Sequence, residues 1–223
     1  MLINMSRLLR QTALCFSDRT ALVNIERNRR FTFWQLHELT NKLCNLIKDK
    51  FGLNEGDVYA TLLENDNMGL FHFWMTKSSA TALWLDIRES VEEQLNQIDY
   101  VQPRLIFIEA KLLSQYYEHL RNRDISIVCM DATKEALPNV HYFWDLLDEA
   151  SSMEPSMEYV VDDAEQHIYL LKFTGGTTGR AKCVMFSLAN ILSPGCNPVH
   201  YYEVLPFDSN SRSSCFKIYF LAY

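Results

Sequence analysis

The sequence predicts an α/β protein, a mostly parallel sheet flanked by helices on both faces, and three observations carry that expectation. The hydrophobic spacing switches repeatedly between a period near two and a period near 3.6, the marks of strands and helices. The strand-like and helix-like stretches alternate along the chain, which calls for parallel strands joined by crossover helices. Finally, 48% of the 223 residues are hydrophobic and 22% charged, with only seven Gly and six Pro, the profile of a globular chain with a substantial core.

Taken in order, residues 6–16 read as a short amphipathic helix, and "TALVNI" and "RFTF" read as two strands flanking the turn-like "ERNR". Thr32 and Gln35 then form a capping box ahead of a helix whose Leu36, Leu39, Leu43, Leu46 and Ile47 share one face. Gly52 stands just past its end, where a left-handed residue is wanted. "VYATLLE" reads as a strand, "MGLFHFWMTKSS" as a helix and "TALWL" as a strand. Ser90 and Glu93 cap the next helix, "RLIFIE" is a buried strand, residues 111–121 are helical, "ISIVCM" is a strand and "YFWDLLDEA" is helical. Residues 151–166 are polar and acidic and read as a connector before the strand "IYLLKF" at 168–173. From Ser193 onward prolines and a serine cluster interrupt the text, which stops in the β-prone "FKIYFLAY".

The formal charge of −7, from 21 Lys+Arg against 28 Asp+Glu, offers no basic field for nucleic acid. No stretch approaches the roughly 18 apolar residues of a membrane span, and the first residues, broken by Arg7 and Arg10, do not form a signal peptide. Six cysteines at irregular spacing, none in a C-x-x-C pair, read as reduced thiols and point to a cytoplasmic compartment.

The chemistry concentrates in "FTGGTTGRAK", residues 173–182, which carries three of the chain's glycines and three threonines. A strand that ends at Phe173 and runs into Thr174, Gly175, Gly176, Thr177, Thr178 and Gly179 lets backbone N–H groups converge on an anion without side chains in the way. Threonine hydroxyls add donors and Lys182 adds a compact positive charge. The spacing matches neither the Walker pattern nor G-x-G-x-x-G, so the loop is not that of a P-loop NTPase or a dinucleotide fold. Set alone, such a loop is more often a plain glycine-threonine hairpin with an exposed lysine; its surroundings favour phosphate.

"FTGGTTGRAKCV" resembles the phosphate-loop signature of the adenylate-forming superfamily, which holds acyl-CoA synthetases, aryl-CoA ligases, luciferases and peptide-synthetase adenylation domains. "FSDRTALV", "RFTFWQLHELTNKLCNLIKDKFGLNEGDVYATLLENDN" and "KSSATALWLDIRESVEEQL" are similar to that family's N-terminal region in its usual order. The resemblance implies a partial N-terminal domain over residues 1–192 and a divergent or truncated tail over 193–223. It implies a ligase that joins a small or fatty carboxylic acid to AMP from ATP and passes the acyl group to a thiol, usually of CoA, with Mg2+. Residues 174–179 would wrap the β and γ phosphates, and Lys182 would act catalytically by offsetting charge on the leaving pyrophosphate.

The sequence departs from that pattern. Ala181 stands where the family has Pro, at a cost of about 0.4 to 1 kcal/mol in loop order. Cys183 stands where it has Gly, which adds roughly 1 to 2 kcal/mol if the site needs positive φ. Leu188 replaces a frequent His, and Asn190 reads as a satisfied surface amide. The family's later motifs, including those for magnesium, ribose and the C-terminal catalytic lysine, have no counterpart in these residues. The reading is therefore an incomplete ligase with self-association through an exposed sheet edge. Its alternatives are a non-catalytic nucleotide-binding module and a piece of a peptide-synthetase adenylation domain.

Other residues read as structure. "HELTN" at 37–41 begins like a zinc-protease motif but lacks its second His, and no His pair has metal-ligand spacing. Asp162 and Asp163 read as solvated turn residues, Phe71, Phe73, Trp74 and Trp84 as core, and Cys183 as a small buried filler.

Overall fold

The computed structural model describes residues 3–25, 27–74, 77–131, 136–155, 160–161, 166–174 and 181–190. Among them run β1 (Ile3–Asn4), α1 (Met5–Cys15), β2 (Thr20–Asn24), β3 (Arg29–Thr32) and α2 (Phe33–Asn45). Then follow β4 (Val58–Leu62), α3 (Asn65–Trp74), β5 (Thr81–Trp84), α4 (Val91–Val101), β6 (Leu105–Ile108) and α5 (Ala110–Leu120). The remainder are β7 (Ser126–Cys129), β8 (Val140–Tyr142), α6 (Phe143–Glu149), β9 (Val160–Val161), β10 (Ile168–Thr174) and β11 (Lys182–Ser187).

The main sheet has seven strands in the order β11-β10-β5-β4-β6-β7-β8. Every neighbouring pair is parallel except β10 with β11. Side chains alternate across it. Tyr59, Ala82, Phe107, Val128 and Leu170 join α2, α3 and α6 in one core, while Ala60, Leu83, Ile106 and Ile127 join α4 and α5 in the other. The expected α/β architecture is the observed one.

Local chemistry explains the boundaries. The Thr32 side chain accepts from the Gln35 backbone N–H at 3.2 Å, and the Gln35 side chain accepts from the Thr32 N–H at 2.9 Å, so both arms of the predicted box open α2. Past its end the helix widens into a π-helical turn, Leu46–Lys50, which periodicity did not predict, before Gly52 turns the chain at φ +64. Ser90 caps α4 through the Glu93 N–H. Two stretches differ from expectation. Tyr142, read as helical, closes the short strand β8 and precedes α6. Part of the 151–166 connector is ordered, since β9 pairs antiparallel with β1. Asp162 and Asp163 lie outside the described residues, as does the tail from 193.

Candidate functional site

β10 runs parallel to β5, so its last residue, Thr174, emerges at the carboxyl end of the sheet, the end at which open α/β sheets hold ligands. The chain returns at Lys182, paired directly with Thr174, and the Thr174 hydroxyl lies 3.5 Å from the Lys182 carbonyl oxygen. Both are exposed. The two predicted end residues of the loop are thus brought together as the closing pair of a hairpin. Gly175, Gly176, Thr177, Thr178 and Gly179 fall outside the described residues.

The predicted liability at Cys183 is absent. It sits in β11 opposite Phe173, and the described non-glycine residues with positive φ are Asn28, Gln102 and Asn139, so the side chain meets no left-handed strain. It is half-buried rather than buried, and that burial pushes its thiol pKa up, away from thiolate chemistry. Leu188 is fully buried in the first core, its amide donating to the His167 carbonyl at 2.9 Å. Asn190 has a role beyond that of a surface amide. Its Oδ1 accepts from the Ser187 N–H and hydroxyl at 3.0 Å each, while its own N–H donates to Ser187 Oγ at 3.3 Å, a reciprocal cap on the turn that follows β11.

A second constellation, missed in the sequence, lies between β4 and β6, whose exits diverge toward α3 on one face and α5 on the other. Glu64, Asp66 and Glu109 bring carboxylate oxygens within 4.8 Å of one another there, a grouping able to hold a metal ion. The crevice is already served by protein groups. Arg27, from the β2–β3 turn, donates to Asp66, Asp131 and Glu109. Asn67 Nδ2 donates to both Glu109 oxygens, at 2.9 and 3.0 Å, and Lys111 pairs with Glu64. Burial works against the Arg27 charge, but its bonds to Asp66 and Asp131 outweigh that and hold its pKa above the ordinary value. This is a latch fastening the β2–β3 hairpin to the sheet, and the Thr174–Lys182 hairpin remains the better ligand candidate.

The sequence profile described as "AMP-binding enzyme" matches residues 9–216. The chain belongs to the AMP-binding enzyme family. This chain is 24% identical over 201 residues to the 3-hydroxybenzoate–CoA/4-hydroxybenzoate–CoA ligase of Thauera aromatica, covering 89% of itself and 37% of that enzyme. It is 29% identical over 192 residues to the 2-succinylbenzoate–CoA ligase of Bacillus licheniformis, covering 85% of itself and 35% of that enzyme. The chain therefore spans about a third of the length of these curated relatives. In fold it matches the anthranilate CoA ligase AuaEII in complex with anthranoyl-AMP, with a TM-score of 0.74 at 17% identity over 87% of this chain and 36% of the other. It likewise matches the o-succinylbenzoate CoA synthetase MenE of Bacillus subtilis, with a TM-score of 0.68 at 19% identity over 92% of this chain and 48% of the other.

The chain also buries a polar cluster in the body of the fold. Lys77, 2% exposed, sits at hydrogen-bond distance from His37 Nδ1, 3.0 Å, and donates to Asn41 Oδ1, while His37 Nε2 lies 3.2 Å from Glu154. With Lys77 as donor, His37 accepts at Nδ1 and donates from Nε2 to the carboxylate. Burial and the Lys77 charge pull the His37 pKa down, and burial pulls Lys77 down to about 8. Asn41 and Asn45 donate to the carbonyls of Ser152 and Ser151 at 3.0 and 2.8 Å, so segment 151–154 is strapped onto α2. The role of His37 is structural, as expected; its partner Lys77, assigned by periodicity to a helix, lies beyond the end of α3. Among the described residues no helix is long and apolar enough to cross a membrane.

Proposed function

We propose that this chain supplies the phosphate-gripping part of an ATP-dependent carboxylate–CoA ligase, in which a carboxylate attacks the α-phosphate of ATP and a thiol then takes the acyl group from AMP. The observation that carries this reading is the closure of the glycine-threonine loop by the Thr174–Lys182 pair at the carboxyl end of a parallel sheet, in a chain of the AMP-binding enzyme family. The exposed Lys182 and the Thr174 hydroxyl suit a triphosphate, to which a lysine offers a compact positive charge and a hydroxyl a donor. Magnesium would arrive on the triphosphate. Asp86, the carboxylate that feels the charge of Lys172 on β10, is held by Arg88 and is not offered to a metal.

Both curated relatives named above are ligases of ring-bearing benzoate derivatives, which makes such acids the first to try, ahead of fatty acids. ATP–pyrophosphate exchange with such a panel tests the reading: exchange that requires Lys182 supports a ligase. ATP binding without exchange favours the second reading, a nucleotide-binding module, which the coverage of only about a third of each curated relative keeps in play. A cytoplasmic location and association through β11, the edge strand of the main sheet, belong to the same proposal.

A further inference from the structure

Lys172 is a charged residue set inside an otherwise apolar strand. It lies inside β10, between β5 and β11, in register with Trp84 on one side and Val184 on the other. Interior strands covered on both faces normally carry apolar residues, and Lys172 is a partly exposed exception in β10. Lys172 makes no hydrogen bond or ion pair with another described residue. The carboxylate that feels its charge, Asp86, is already bound by Arg88 through Nε at 2.9 Å and Nη2 at 2.6 Å.

Its direction is fixed by the strand. Leu170 belongs to the first core and Leu171 and Phe173 pack on the second, so Lys172 and Thr174 share the face of Leu170. Lys182 stands opposite Thr174 and Phe186 opposite Leu170, with Phe186 packed on that same core, which puts Lys182 on this face too. Residues diagonal across an antiparallel ladder are about 7–8 Å apart, close enough for two lysine side chains to converge on one anion.

We infer that Lys172 is a second cationic ligand, beside Lys182, for a polyphosphate held at the ends of β10 and β11, an inference that rests on the reading proposed above. Lys182 would meet the anion from β11 and Lys172 from β10. The ligand chemistry is a pyrophosphate unit, free or as part of a nucleoside triphosphate.

The test is calorimetric titration with pyrophosphate and, separately, MgATP, on the wild-type chain and on Lys172→Met, Lys172→Arg and Lys182→Ala, with thermal unfolding of each unliganded protein. Lys172→Met is expected to be about as stable as the wild type, because a side chain that makes no hydrogen bond or ion pair among the described residues is replaced by an apolar one of similar length. It should bind both ligands roughly ten-fold or more weakly, the scale of one charge-assisted hydrogen bond, while Lys172→Arg retains binding. Should Lys172→Met fail to fold, Lys172→Gln takes its place in the titration with the same loss expected. Unchanged affinity in the Lys172 variants beside a loss in Lys182→Ala overturns this inference and leaves the ligase reading standing. A loss confined to ATP, with pyrophosphate unaffected, overturns the polyphosphate assignment. A wild-type chain that binds neither ligand overturns both.

Discussion

Thr174 and Lys182 face each other as the last pair of the β10–β11 ladder, so the position of one end of the glycine-threonine loop dictates the position of the other. The ladder below them runs without a break through Lys172–Val184 to Leu170–Phe186, and Leu170 and Phe186 reach the first core. The two ends of the proposed phosphate loop are thereby mounted on a continuous ladder tied to the core, the kind of support that electrostatic preorganisation needs.

The Arg27 latch predicts a large loss on truncation. Arg27→Met leaves Asp66 and Glu109, 8% and 2% exposed at their side chains, without their counter-charge. Removing one partner of such a network typically costs several kcal/mol; with Arg27 itself 22% exposed, about 2–4 kcal/mol is expected by urea denaturation at pH 7. The variant should lose less as pH falls. Burial raises the Asp66 pKa, but the bond and charge of Arg27 together with backbone N–H donors, Asn67 among them, outweigh it and leave it below the ordinary value, so the stability Asp66 contributes is present above that value and disappears as pH drops through the lowered one. A variant with wild-type stability at pH 7 would contradict the latch.

The His37–Lys77 pair predicts acid sensitivity. The folded pKa of His37 is depressed, so below about 6.5 the unfolded chain binds a proton that the folded chain resists, and stability falls with falling pH. His37→Gln should flatten that decline between pH 7.5 and 5.5 in denaturant titrations. Part of the slope should survive, because burial also depresses His141 and His167. An identical slope in the variant would show that His37 titrates normally.

Thr32→Ala removes the acceptor for the Gln35 N–H and undoes the box at the head of α2. The expected cost is about 1 kcal/mol, measured as a shift in urea midpoint with unchanged slope. Gln35→Ala should cost less, since the backbone donor it leaves is exposed to water.

What the sequence made legible was what neighbouring residues decide together. The Thr32–Gln35 cap, the turn at Gly52, the strands around Ala60, Phe107 and Val128 and the phosphate-loop candidate all depend on spacing within a few residues. The rest depended on partners far along the chain. Arg27 and Lys77 look like surface charges until Asp66, Glu109 and Asp131, or His37 and Asn41, are folded around them. The β1–β9 pair joins Ile3 to Val161, which no local pattern signals. Tyr142 was read as helical because the apolar residues of β8 and α6 run together without a break. Lys172 does not stand out in the apolar strand text, because its diagonal relation to Lys182 is visible only with β10 and β11 paired.

The central claim is that the loop closed by Thr174 and Lys182 holds a triphosphate, and direct titration of ATP into the wild-type chain and the Lys182→Ala chain tests it most directly. Lys182 is exposed on an edge strand, so its removal should leave the fold and thermal stability unchanged. The account predicts saturable binding by the wild type and a loss of roughly ten-fold or more in affinity for Lys182→Ala. Equal affinity in the two proteins, or no binding by a folded wild-type chain, would contradict it.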